Sequence, residues 1–261
     1  MYPDETAVWR IFLCVCLAVF GAVLGSFLDC CISRMAAGDP HPFGGRSRCT
    51  SCGHTLGAFD LIPVFGWLFL RGRCRYCRKR IPAECLVSEL MGAAAFAGLA
   101  LRFGPALELG QWLILAGVLL ALSLTDLAKR IIPDRLLLLA AVNRVVWFYI
   151  LGPEKAEMLT ALKACAVPAA LLVLVLLLEK LIGREAMGGG DIKLLFALAL
   201  YLSWAQVLLT LLAGCLLGLV WAGLTGRKKG TVLPFGPFLA AGAVVTICCG
   251  DPLLSWYFGL L

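Results

Sequence analysis

Asp126 and Asp191 are the residues of this sequence hardest to explain as bystanders. Asp126 closes the apolar run Leu109–Thr125, and Asp191 follows Gly188-Gly189-Gly190 and opens the apolar run Leu194–Leu202. An aspartate near the centre of a membrane helix costs about 2.5–3.5 kcal/mol on insertion scales, and less towards the ends. Two carboxyls brought together would not both ionise easily and would share a proton. One could then activate a water as a base while the other, protonated, polarises a peptide carbonyl. That is the arrangement of an aspartic protease, and it needs no metal. Two ordinary roles compete with it. Asp191 could N-cap a helix, and Asp126 could be a polar helix end near the headgroups. The triple glycine beside Asp191, which lets backbone approach closely, favours the chemical role. Asp134, after Pro133 and before Arg135 and four leucines, reads as an N-cap. Glu89 is placed where it could line the same cavity, and Glu179 beside Lys180 reads as interfacial.

The second chemical constellation is made of thiols. Cys49 and Cys52 form one Cys-x-x-Cys pair and Cys74 and Cys77 a second, in a polar stretch rich in arginine. Two residues between thiols let one turn present both sulfurs to one tetrahedral ion, and two such turns complete a four-cysteine zinc site. The 21 residues between Cys52 and Cys74 leave room for a pair of short strands returning the second knuckle to the first. A redox dithiol is the competing use; two matched pairs flanked by arginines favour zinc. A closed four-thiolate site has no open position for water, so the metal is structural. It folds a loop with too little core of its own. His41, His54 and Cys85 are reserve ligands. The nine cysteines outside the two pairs, Cys85 among them, lie in or beside apolar segments and read as small apolar fillers.

The elements that must position these groups are membrane helices. Of 261 residues, 61% are hydrophobic and 15% charged, and the mean hydropathy is +0.93. A soluble domain runs nearer about 45–50% apolar and about 25% charged, so an ordinary soluble enzyme, a disordered chain and a free nucleic-acid binder are excluded. Eight spans are expected, near 7–31, 85–103, 110–128, 135–152, 158–182, 191–204, 205–225 and 233–258. The first apolar run, Ala7–Leu28, is long enough to span and has no convincing signal-peptide cleavage site. Sorting the 23 Lys and Arg by alternate loops places 18 on one side, nine of them in 34–80. The others there are Lys129, Arg130, Arg135, Lys180, Arg184, Lys193, Arg227, Lys228 and Lys229. By the positive-inside rule that side is cytoplasmic and both termini lie outside. The same map brings Asp126 and Asp191, 65 positions apart in sequence, to the cytoplasmic face. A nucleic-acid partner is not expected, because the positives hug the span ends.

These residues resemble the prepilin leader peptidases, bacterial membrane aspartic proteases of the GxGD type. The likeness rests on Gly25-Ser26-Phe27-Leu28, the two Cys-x-x-Cys pairs, Asp60-Leu61-Ile62-Pro63, Asp126 with Ile132-Pro133-Asp134, Met187–Lys193 and Pro234–Phe238, in that order along nearly the whole chain. The resemblance implies that Asp126 and Asp191 are the catalytic pair and that Cys49, Cys52, Cys74 and Cys77 hold zinc. It implies cleavage of a short basic leader from type IV prepilins or pseudopilins after a glycine, at the cytoplasmic face of the bacterial inner membrane. Many members then methylate the new N-terminus with S-adenosylmethionine. The opening motif departs from the family at position 29, where Asp29 replaces the usual asparagine. A carboxylate that only accepts stands for an amide that also donates, which bears on methyl transfer rather than proteolysis. Asp29 could also serve as a third acid. No glycine-rich βαβ pattern marks a methyl-donor pocket.

The expectation is an all-α polytopic membrane protein of about eight transmembrane helices with a small cytoplasmic zinc-binding loop. Residues 1–32 are the first helix, 33–84 the four-cysteine region and 85–261 a seven-helix protease core. The arginine-rich loop suits anionic headgroups or an acidic residue early in a mature pilin. The rival from another class is an ion- or proton-coupled transporter using Asp126 and Asp191, against which stands the lack of an inverted repeat of two matched halves. A membrane scaffold docking a partner through its zinc loop is a third reading. A protease of the same type that cuts within a membrane helix is a nearer one, disfavoured by the zinc loop and by Gly25–Leu28.

Overall fold

Glycines set the first pair of helices. In the computed structural model, which describes residues 5–152, 154–183, 187–225 and 234–259, α1 (Glu5–Ala36) packs against α3 (Ala83–Phe103). A Cβ on Gly21 would lie 2.3 Å from the Gly92 carbonyl oxygen, one on Gly92 would lie 2.2 Å from that of Gly21, and one on Gly25 would lie 2.3 Å from that of Ser88. Gly21 and Gly25 are four apart, as are Ser88 and Gly92, so each helix turns a small-residue stripe to the other. The Cys14 thiol meets the Ala97 carbonyl at 3.8 Å and the Phe20 and Phe96 rings lie 5.8 Å apart. Partner numbers fall on α3 as they rise on α1, so the two helices are antiparallel. Gly92→Leu is therefore expected to lose about 1–3 kcal/mol or more from overpacking against backbone that cannot move aside. Thermal unfolding in detergent reads this directly, and an unchanged midpoint would refute the close approach.

Between α1 and α3 runs the polar loop. Its described structure holds a 3-10 turn (Ala58–Leu61), a short helix α2 (Phe65–Phe69) and two isolated antiparallel bridges, Arg48↔Thr55 and Arg73↔Arg80. The strands expected between the two knuckles are absent there. Pro63 has no N–H to give a ladder, and the Asp60 carboxylate instead accepts from the Gly57 N–H at 3.1 Å, closing a turn.

The chain divides into two compact units, residues 1–124 and 125–261, and α4 (Leu109–Lys129) carries the boundary. The second unit holds the end of α4, then α5 (Asp134–Leu151), α6 (Lys155–Ala164) running on into α7 (Ala166–Ile182), α8 (Gly189–Ala199), α9 (Trp204–Leu224) and α10 (Gly236–Phe258). Helices α9 and α10 form an antiparallel pair. A Cβ on Gly242 would lie 2.7 Å from the Thr210 carbonyl, and one on Gly214 would lie 3.1 Å from the Leu239 Cα. At its far end Gln206 donates to Asp251 at 2.7 Å. Helix α9 starts on a capping box in which Ser203 and Gln206 satisfy each other's backbone N–H groups.

Helix α8 lies parallel to α5, clamped at both ends. Lys193 Nζ donates to Asp134 at 2.8 Å at the start. At the finish Asn143 donates to the Tyr201 hydroxyl at 2.8 Å, that hydroxyl donates to the Ala140 carbonyl at 2.6 Å, and Arg144 donates to the Leu200 carbonyl at 2.9 Å.

Six helices among the described residues are long and apolar enough to cross a membrane: Ala7–Ala36, Ala83–Phe103, Leu109–Lys129, Lys155–Ile182, Trp204–Leu224 and Gly236–Phe258. The chain is thus a helical membrane protein. The two remaining spans of the expected eight behave differently. Helix α5 carries Asp134, Arg135 and Arg144, and α8 has 11 residues, about 16 Å of helix against a hydrocarbon core of about 30 Å. Of the basic residues sorted to one side by sequence, Arg184, Arg227, Lys228 and Lys229 lie outside the described residues.

Candidate functional site

The thiol cluster belongs to the first unit. Each knuckle is one turn closed by its own backbone: the Cys49 N–H donates to the His54 carbonyl and the Gly53 N–H to the Cys49 carbonyl, both at 2.9 Å. The second repeats it, with the Cys74 N–H on the Lys79 carbonyl at 2.9 Å and the Arg78 N–H on the Cys74 carbonyl at 3.0 Å. The turns need a left-handed residue after the second cysteine of each pair; Gly53 supplies it at φ 71° and Arg78 at φ 60°. The ligand atoms of Cys49, Cys52, Cys74 and Cys77 all lie within 4.8 Å of one another, and the Cys49 and Cys77 sulfurs are 3.9 Å apart. A tetrahedron with Zn–S bonds near 2.3 Å has edges of about 3.8 Å, so the cluster has the dimensions and the donors for a structural zinc. Backbone N–H groups of Ser51 and Cys52 pull the Cys49 thiol down to about 6, towards the thiolate that a metal requires.

The reserve ligands are used elsewhere. The His54 ring packs at a tilt on Tyr76 with centroids 3.6 Å apart, His41 is exposed, with its backbone N–H on Asp39 at 2.9 Å, and the Cys85 thiol lies beside Asp29. Asp29 and Glu89 are thereby accounted for within the first unit. The Glu89 carboxylate, almost fully buried, accepts from the Val64 N–H at 2.6 Å. Val64 sits at φ 64°, a strained position for a β-branched residue, and this bond ties the loop to α3. Asp60, its carboxylate buried, receives Arg75 Nε at 2.7 Å and so links the segment between the knuckles to the second one.

The carboxylate site belongs to the second unit. Asp126 is 7% and Asp191 9% exposed. Asp126 lies one turn before the end of α4, and its Oδ2 accepts from the Gly236 N–H, at the start of α10, at 3.1 Å. Asp191 is the third residue of α8, whose N-cap is Gly188. It is therefore within the first turn and not the N-cap that its sequence position allowed. Its carboxyl folds back so that a Cβ on Gly188 would lie 3.1 Å from Oδ2. Ile132 packs against the glycines that neighbour the two acids, Gly190 and Gly236. A Cβ on Gly190 would lie 3.1 Å from the Ile132 Cβ, and one on Gly236 would lie 3.4 Å from the Ile132 Cδ1 and 2.8 Å from the Asp126 Oδ2.

The structure thus gathers the end of α4 and the starts of α5, α8 and α10 at one end of this unit. The N-terminus of α10 presents its positive dipole end to Asp126, and Asp191 lies in the first turn of α8, at that helix's positive end. Asp134 takes no part as an N-cap. Pro133 caps α5, and Asp134 is its first residue, paired with Lys193. Sequence reasoning missed Gly236 as a donor and Ile132 as the side chain packed on Gly190 and Gly236, although both lie in motifs that it singles out, Pro234–Phe238 and Ile132–Asp134.

Two family models match the chain: the bacterial peptidase A24 N-terminal domain over residues 19–103 and the type IV leader peptidase family over residues 113–223. Among curated proteins, one from Aeromonas hydrophila is 32% identical, covering 95% of this chain and 94% of its own length. One from Burkholderia pseudomallei (strain K96243) is 34% identical over 90% and 84%, and one from Bacillus subtilis (strain 168) is 33% identical over 92% and 96%. All three carry the name prepilin leader peptidase/N-methyltransferase. No solved structure matches.

Proposed function

Because the chain belongs to the type IV leader peptidase family, we propose that it is a membrane aspartic endopeptidase cutting the basic leader from type IV prepilins or pseudopilins after a glycine, with Asp126 and Asp191 as its catalytic pair. The observation that supports the assignment of residues is that two buried carboxyls lie where the end of α4 meets the start of α10 and in the first turn of α8, both beside glycines packed on Ile132. In the proposed reaction one carboxylate takes a proton from water as that water attacks the scissile carbonyl. The other, protonated, hydrogen-bonds the carbonyl oxygen and then gives its proton to the departing amine. The Gly236 N–H orients Asp126, and the first turn of α8 orients Asp191. The proposed orientation follows the charges: zinc loop and acids on the cytoplasmic side of the bacterial inner membrane, both termini outside, with spans beyond the six apolar helices completed by α5 and α8.

Zinc, bound by Cys49, Cys52, Cys74 and Cys77, would supply only the fold of the loop. S-adenosylmethionine is proposed as the donor for methylation of the new N-terminus, on the strength of the relatives' names. Two clefts among the described residues do not fit it: one is lined by Lys163 and apolar side chains, and the other by three arginines with no acid to face a sulfonium. No residue is assigned to it.

The test is mass spectrometry of a synthetic prepilin incubated with the purified protein and S-adenosylmethionine. Cleavage after the leader glycine supports the peptidase, and a further single-methyl gain supports transfer. No cleavage of several prepilins by zinc-loaded protein would sink the reading and bring the transporter forward. Within this reading, Gly236→Ala puts a methyl 2.8 Å from the Asp126 Oδ2 and must push that carboxylate aside. A displacement of that order is expected to lower kcat about 10- to 100-fold with the melting temperature nearly unchanged. Wild-type turnover would show that the Gly236 N–H does not set the geometry.

A further inference from the structure

We propose that a cleft at the junction of the zinc loop and α3 is a binding site for the phosphate of an anionic phospholipid headgroup. The cleft, about 550 Å³, is lined by Arg71, Arg73 and Arg80, by Trp67 and Gly72, and by Ile81-Pro82-Ala83. Arg73 and Arg80 are the two members of an antiparallel bridge. Like charges directly opposite one another destabilise such a pair, and Arg71 brings a third charge from a residue held at φ 51°. All three are exposed, and no ion pair or side-chain hydrogen bond takes up their guanidinium groups among the described residues. Arg75, by contrast, has Asp60.

Local acids do not balance this charge. Between residues 37 and 82 there are eight cations against Asp39 and Asp60, and a four-thiolate zinc adds only two negative charges. A further feature of the cleft favours an anion. Helix α3 begins there on Pro82, with no side chain capping its first N–H groups, so its positive end is open. Trp67 forms a wall of the cleft, and a Cβ on Gly72 would lie 2.7 Å from its ring, so the close packing of that wall needs the glycine.

A lipid phosphate fits better than free phosphate because of what adjoins the charges. Ala83, in the cleft wall, is the first residue of a spanning helix, which sets the cleft at the boundary between headgroups and acyl chains. Shortly before Gly72, α2 exposes Leu68 and Phe69 at 52% and 82%, and Phe65 at 58%, apolar surface suited to the upper acyl region. Arginine is the side chain best shaped to grip a phosphate with two donors.

The test titrates the full-length, zinc-loaded protein in mild detergent with short-chain phosphatidylglycerol, phosphatidylcholine or inorganic phosphate, counting adducts by native mass spectrometry. Phosphatidylglycerol is expected to bind selectively, and Arg71→Gln/Arg73→Gln/Arg80→Gln to weaken it about a hundredfold at low salt. Arg46→Gln/Arg48→Gln, which alters charge on the first knuckle, is expected to leave it unchanged. Zinc content checks the fold of each variant, and Arg80→Gln alone, which keeps the charge next to the thiols, should weaken binding several-fold if the triple variant loses metal. Equal binding of phosphatidylcholine, equal affinity for inorganic phosphate, or unchanged binding in the triple and Arg80→Gln variants would each overturn the proposal. Because lipid and not cleavage is read, the result is independent of the peptidase assignment.

Discussion

Asp126→Asn and Asp191→Asn are each expected to reduce prepilin cleavage by about 10²–10⁴-fold or below detection, without unfolding the protein. The asymmetry between activity and stability follows from the geometry. Asparagine matches aspartate in size, so the wall formed by Gly190, Ile132 and Gly236 is undisturbed. In Asp126→Asn the amide oxygen still accepts from the Gly236 N–H, which in the parent reaches Oδ2 at 3.1 Å. What disappears is the exchangeable proton that a carboxyl pair shares. Each single variant should therefore abolish nearly as much activity as the double variant, since residues that act as one unit are not additive. Mass spectrometry of the products gives the activity and thermal unfolding the stability. Substantial cleavage by either variant, or activities that multiply in the double variant, would remove the pair from the chemistry. Asp134→Asn is the informative control, because Asp134 is exposed and its partner is Lys193; it should retain most activity.

Much of this is legible in the sequence because membrane helices and metal knuckles obey short-range rules. The hydropathy and the four thiols are explicit there, and the charge map puts Asp126 and Asp191 on one face. What the sequence hides depends on three-dimensional register. Gly21, Gly25 and Gly92 look like ordinary membrane glycines until α1 and α3 are seen to bring their backbones together. Glu89 in an apolar run looks like a companion for the two acids, yet its carboxylate is taken by the Val64 N–H, a contact 25 residues away that no pattern marks. The segment between Cys52 and Cys74 has the length for paired strands, whereas Pro63 and the Asp60 turn make it helical. The run 191–204 is apolar enough to read as a span, but the helix stops at Ala199 and the chain turns before Ser203 caps α9.

Removing one thiol of the proposed zinc site is expected to have the second large effect, confined to the loop. Cys74 is almost fully buried and opens the second knuckle, so Cys74→Ser replaces a thiolate by a poor ligand at a place where water cannot easily complete the tetrahedron. Structural zinc in small modules contributes about 10–16 kcal/mol of apparent binding free energy. Bound zinc should therefore fall from about one per chain to near zero, as read by metal analysis. Residues 37–82 have few other restraints to fall back on: Arg34 holding the carbonyls of Pro42, Gly44 and Arg46 at one end, the Asp60–Arg75 pair, and the Glu89–Val64 bond at the other. Trypsin should accordingly cut the variant rapidly between Arg71 and Arg80, while the zinc-loaded parent resists. Helical content measured by circular dichroism should stay close to the parent's, since α1 and α3 meet through Gly21, Gly25 and Gly92 rather than through the loop. Chelation of the wild-type protein should reproduce the same proteolytic pattern. Full zinc content in Cys74→Ser, or a metal-free loop that still resists trypsin, would show that the four thiols do not hold the loop together.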